Sequence, residues 1–192
     1  MKDFISMLRY ACQSAINKVA DSIMFLTNAK VRGKIQGITL TSLDALLRRF
    51  QEVQDQVVGI TTRIRGRLEG FILITINCDL VDHLLELVLT NYGSYIREED
   101  LTIDLEEDML KEIANIIIGS LTSEISSLLK IPVYYEVPLI AIDVVAVILD
   151  QLCTSLAVES MNALVFHISF ELNEHKHFAD IVLLLTPKGE HL

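Results

Sequence analysis

The chain has 192 residues, 51% of them hydrophobic and 22% charged, with a formal net charge of −10. Its length and apolar content suffice for one full core or two fused half-size units. The negative charge would repel a phosphate backbone and no Lys/Arg-rich tract offsets it, so nucleic acid is excluded as an expected partner.

The cysteines, Cys12, Cys78 and Cys153, are far apart and odd in number, which offers neither a disulfide framework nor a CxxC metal knuckle. A reducing cytoplasm fits best. The longest apolar run, Val144 to Leu149, is too short to span a bilayer and is bounded by Asp143 and Asp150. The N-terminus carries Asp3 and Arg9 within a helical pattern, so neither membrane insertion nor secretion is expected.

A first helix is predicted from about Asp3 to Thr27, because Leu8, Ala11, Ala15, Val19 and Leu26 recur on one face at the helical period. A strand follows through Val31, Ile35 and Ile38, then a short helix over about Ser42 to Phe50. Val57 to Ile64 and Leu68 to Ile76 read as a hairpin, with Arg63, Arg65 and Arg67 beside Gly66 as its charged tip. A further helix covers about Leu80 to Leu89.

The pattern then repeats. The predicted helix Asp104 to Leu129 places Leu110, Ile113, Ile117, Leu121 and Leu128 on one face, each 102 residues after its counterpart in the first. At the same offset Ile131-Pro132-Val133 follows Ala29-Lys30-Val31, Val137 follows Ile35, and Ile140 follows Ile38. The short helix recurs over about Val144 to Leu152. The hairpin recurs with Ala163 to Phe170 matching Val57 to Ile64, Phe178 to Thr186 matching Leu68 to Ile76, and a turn at Asn173 to His177. A counterpart of the Leu80 helix would begin where the sequence ends, after Pro187 and Gly189.

Two such units most economically share one largely antiparallel sheet with the two long helices packed over it, an α+β class with internal pseudo-symmetry. The expected organisation is one domain over 1–192, with a first repeat at about 1–93 and a second at about 103–192. The joint falls near Ser94 to Thr102, where Arg97, Glu98, Glu99 and Asp100 break the apolar pattern.

On the second long helix Asp108, Glu112 and Asn115 stand at i, i+4 and i+7, within about 60° of helical arc and away from the apolar stripe. A polar outer face is ordinary for an amphipathic helix, but two local costs mark this one. Gly119 continues the stripe at a cost in helix stability that lets another group come close. Pro138 lies inside a predicted strand, where proline is confined to edges and bulges.

The spacing Asp/Ser-x3-Glu-x2-Asn-x22-Pro resembles that of the CheC, CheX and FliY phosphatases, and Asp108, Glu112, Asn115 and Pro138 match it. The run Glu112 to Gly119 also resembles the family's ExxNIxxG, and the two-fold repeat resembles the CheC layout over nearly the whole chain. The resemblance implies a phosphatase acting on the aspartyl-phosphate of a CheY-like response regulator. Glu112 and Asn115 would reach together into the receiver's phosphorylation site. Asn115 would orient the attacking water and Glu112 would pair with a receiver lysine. Asp108, Gly119 and Pro138 would support them. Mg²⁺ would belong to the receiver, and no cofactor is expected on this chain.

The first helix departs from that pattern. Ser6, Tyr10, Gln13, Asn17 and Gln36 stand where the family has Asp/Ser, Glu, Asn, Gly and Pro, so one active site is expected. The alternative function is a non-catalytic module that binds a response regulator, a CheD-like deamidase or a flagellar switch component. A CheD-like protein and a second copy of the chain are the further expected partners. Elsewhere, His175 and His177 flank Lys176 in the second hairpin's tip and read as a solvated turn without identifiable further ligands. Ser120 lacks a nucleophile elbow, and His83 and His167 fall in packed elements.

Overall fold

A computed structural model describes residues 2–92, 103–156 and 162–185. The long helices are α1 (Lys2–Thr27) and α4 (Ile103–Leu129). Each ends on a residue in the left-handed region, Asn28 at φ 55° and Lys130 at φ 53°, so the two caps lie at the repeat offset as well. Between them run β1 (Val31–Ser42), α2 (Leu43–Gln51), β2 (Gln56–Gly66), β3 (Gly70–Asn77) and α3 (Cys78–Tyr92). After α4 come β4 (Val133–Tyr135), β5 (Leu139–Val144), α5 (Val145–Leu156), β6 (Asn162–Leu172) and β7 (His175–Leu185). Helix α2 starts because the Ser42 hydroxyl accepts from the Ala45 N–H, with Asp44 in its first turn and Arg48 and Arg49 in its last.

The strands form one antiparallel sheet in the order β1-β6-β7-β3-β2-β4, with β5 also on β2. The repeats are thereby exchanged: β1 of the first pairs with β6 of the second, and β5 of the second pairs with β2 of the first. The registers correspond, since Ile38 faces Phe166 and Ile140 faces Ile60. At the centre Ile74 of β3 faces Ile181 of β7.

That register corrects the expected match of Leu68 to Ile76 with Phe178 to Thr186. Ile60 faces Ile74 and Phe166 faces Ile181, so Ile181 is the counterpart of Ile74, three residues earlier than the sequence match implies. Unequal turns cause the slip. The first hairpin turns through Gly66 and Gly70, both at positive φ, whereas the second closes on Asn173 and Glu174 alone, at φ 46° and 74°. His175 to His177 therefore belong to β7, not to the hairpin tip. Two expectations, the joint at Ser94 to Thr102 and the end of the chain after Leu185, lie outside the described residues.

Helices cover both faces of the sheet, not one. On one face α1, α3 and α4 pack Leu8, Ala15, Val19, Leu84, Ile113, Ile118 and Leu121 against Ile60, Ile74, Phe166 and Ile181. On the other, Leu46 and Phe50 of α2 and Ile148 and Leu149 of α5 cover Val57, Leu73, Val165 and Val182. Two-sided burial explains why Phe71 to Ile76 of β3 and Ile181 to Leu185 of β7 read as nearly continuous apolar runs.

Candidate functional site

Helix α4 buries Ile113, Ala114, Ile117, Ile118, Leu121 and Ile125, which leaves Asp108, Glu112 and Asn115 exposed on its opposite face. Among the described residues neither Glu112 nor Asn115 has a hydrogen-bond or ion-pair partner. Lys111 is drawn instead to Glu107 at 2.9 Å and Asp108 at 3.4 Å. The Glu107 carboxylate, followed by that of Asp108, raises the Lys111 pKa and keeps it charged. Asp108 is thus paired within its own helix, whereas Glu112 has no ion-pair partner among the described residues.

Strands β4 and β5 pass beside α4 as one edge strand broken by a bulge. Ile64 pairs with Tyr135 and Thr61 with Leu139, so Glu136, Val137 and Pro138 stand opposite only Thr62 and Arg63. The extra residue lets Val133 and Ile140, an odd number of positions apart, face the same core. Pro138 occupies this bulge on the sheet edge, where its missing N–H costs no ladder bond. The segment is pinned by the Thr62 hydroxyl donating to the Glu136 carbonyl at 2.6 Å, by the Glu136 N–H donating to the Arg63 carbonyl, and by an Arg65–Glu136 ion pair.

Tyr135 is a residue of this site that sequence reasoning missed. Its Oη lies 3.3 Å from where a Cβ on Gly119 would be, so the tyrosine covers the helix one turn beyond Asn115. The available signal was the repeat offset, which sets Tyr135 against Gly33 and Gly119 against Asn17. At the corresponding positions the larger residue stands on the strand in the second repeat and on the helix in the first.

The first-repeat face is built differently. Gln36 sits at the β1 bulge, the position equivalent to Pro138, and donates to the Ser169 hydroxyl at 2.6 Å. Gln13, equivalent to Asn115, donates to the Gly33 carbonyl at 3.0 Å and accepts from the Ile35 N–H at 3.1 Å. It also donates to Asn17 at 3.0 Å. Strand β1 is an edge of the sheet, and the Gln13 carboxamide satisfies two of its outward backbone groups. Tyr10 and Ser6 are exposed. A cleft of about 860 Å³ opens here, lined by Gln13, Asn17, Asp21, Gly33 and Gln36 among others, whereas Glu112 and Asn115 project from a helix face.

Of the remaining histidines, His167 bridges β1 and β7 through Thr39 at 3.0 Å and Asp180 at 2.7 Å, a structural use. His83 is only partly buried and meets His175 and His177. No helix among the described residues is long and apolar enough to cross a membrane.

The fold is the one found in chemotaxis and flagellar-switch structures. FliY of Thermotoga maritima superposes at a TM-score of 0.72 with 15% identity, over 93% of this chain and 88% of that one. FliM from a FliG–FliM complex of H. pylori also gives 0.72, at 10% identity over 100% of both chains. The chemotaxis protein CheX from Desulfovibrio desulfuricans gives 0.55, at 12% identity over 91% of this chain and 99% of that one. Residues 105–141 match the CheC-like family, a span that contains Asp108, Glu112, Asn115, Gly119 and Pro138. The likeness to CheC, CheX and FliY thus holds in that segment and in the fold around it.

Proposed function

We propose that this protein hydrolyses the aspartyl-phosphate of a CheY-like response regulator in chemotaxis or a related two-component pathway. The observation that carries the reading is the contrast between two equivalent helix faces. Asn115 and Glu112 are exposed and without partners among the described residues, whereas the equivalent Gln13 is consumed by the β1 backbone.

Water adds to phosphorus as the bond to the receiver's aspartate breaks, giving inorganic phosphate and a free carboxylate. This transfer passes through a loose transition state, so alignment of water and charge stabilisation matter more than a strong base. The Asn115 carboxamide donates and accepts at once, which orients one water without a change of ionisation. Glu112 supplies a fixed negative charge for a lysine beside the phosphoryl group and sets the register between the proteins. Mg²⁺ enters with the receiver. A helix face suits this work because the phosphoryl group sits in the partner's pocket and the catalyst must protrude.

The test is phosphate release from Mg²⁺-loaded, phosphorylated receivers, with wild type compared to the Glu112→Ala/Asn115→Ala double variant. Acceleration by wild type alone supports the phosphatase. No acceleration with any cognate receiver supports the second reading, a docking module. That reading draws on the exposed edge residues Tyr134, Val137, Leu139 and Ile142, and on likeness to a FliM taken from a complex.

A further inference from the structure

Strand β7 carries His175 and His177 two residues apart, so both rings leave the same face of the strand. It is the face whose later positions, Ala179, Ile181 and Leu183, enter the core beneath α1, α3 and α4. His83, in the second turn of α3, meets them there. Its ring centroid is 5.6 Å from that of His175 and 5.7 Å from that of His177. Asp79 lies one turn earlier on the same helix, and its charge acts on His177. The His177 Nε2 atom is buried and has no hydrogen-bond partner among the described residues, an arrangement that costs stability unless something binds it.

The spacing is close to that of a metal site. Three imidazoles bound through nitrogen to one tetrahedral ion, at the usual zinc–nitrogen distance, hold their ring centroids about 5.2 Å apart. Each separation from His83 exceeds this by roughly half an ångström. The His83 ring now stands at 82° to that of His175 and 54° to that of His177, and among the described residues no group of three or more His, Cys, Asp or Glu side chains is placed, as they stand, to hold a metal ion. Closure asks the imidazoles to turn about χ2, a broad torsion. Imidazole nitrogen suits zinc, cobalt or nickel and does not suit magnesium or calcium.

We infer that His83, His175 and His177 bind one divalent transition-metal ion, with the fourth position open to Asp79 or water. The site uses no residue of the Glu112/Asn115 face. It joins α3 of the first repeat to the β6–β7 hairpin of the second, so the bound ion cross-links the repeats.

The experiment is a Co²⁺ titration of the untagged full-length protein, read by visible absorption of tetrahedral cobalt, with Zn²⁺ as competitor and in thermal melts. One ion per chain is expected, displaced by Zn²⁺, with a rise in the melting midpoint on adding Zn²⁺. His83→Ala and His177→Ala should each weaken binding by more than about tenfold and abolish that rise. Circular dichroism without metal checks that the variants fold. If His83→Ala unfolds, His175→Asn, at the exposed start of β7, carries the comparison. Absence of Co²⁺ binding at high micromolar metal would overturn the proposal, as would undiminished affinity in the folded variants, which would mark an adventitious surface ion.

Discussion

Tyr135 lies across Gly119, its Oη 3.3 Å from the point a Cβ on that glycine would occupy. In the first repeat the glycine is on the strand, where a Cβ on Gly33 would meet Ile16 Cγ2 at 2.2 Å and Phe170 at 3.0 Å. The surroundings of Gly119 are loose and partly open to solvent; those of Gly33 are filled on one side by the buried Ile16.

The two glycines should therefore respond oppositely to alanine. Gly119→Ala gains up to about 1 kcal/mol of helix propensity, and Tyr135, 42% exposed, can give by the few tenths of an ångström required. Urea unfolding should show unchanged or higher stability. Gly33→Ala drives a methyl into the buried Ile16 and should cost about 1–3 kcal/mol.

Gln13→Ala removes two bonds to the β1 backbone and leaves the Ile35 N–H and Gly33 carbonyl without them. A loss of about 1–3 kcal/mol in chemical denaturation is expected. Phosphate release from a receiver should be unchanged, because the carboxamide is structural in this repeat. A fall in turnover with full retention of stability would assign the first helix to catalysis instead.

Stability should decline as pH falls below the ordinary histidine value of 6.5. Burial, and then the charges of His83 and His175, depress the His177 pKa against the opposing pull of Asp79. The unfolded chain then binds more protons than the folded one between the two pKa values, so protonation favours unfolding in that window. Thermal melts of metal-free protein from pH 7.5 to pH 5 should show this decline, and His177→Gln should reduce it.

Separated repeats should not fold alone. A fragment covering residues 1–92 leaves β1 without β6 and β2 without β5, exposing Ile60, Ile64 and Phe50. Each fragment should show little protected structure in hydrogen exchange. Mixing the two should restore sheet content in circular dichroism.

Much of this protein was legible in the chain itself. The 102-residue offset exposed the duplication, the helical period located α1 and α4, and Asp108, Glu112 and Asn115 fell on one face because helix geometry is local. That Pro138 marks an edge or a bulge followed from its missing N–H, although the bulge itself needed the β2 pairing to be visible. Other features were matters of tertiary structure alone. Which repeat supplies each strand's neighbour depends on long-range pairing, and the cover of α2 and α5 on the second face depends on it as well. So do the capture of Gln13 by the β1 backbone, the lid of Tyr135 over Gly119, and the meeting of His83 with His175 and His177. Periodicity reports which way a side chain leaves its own element, and only packing decides what it meets.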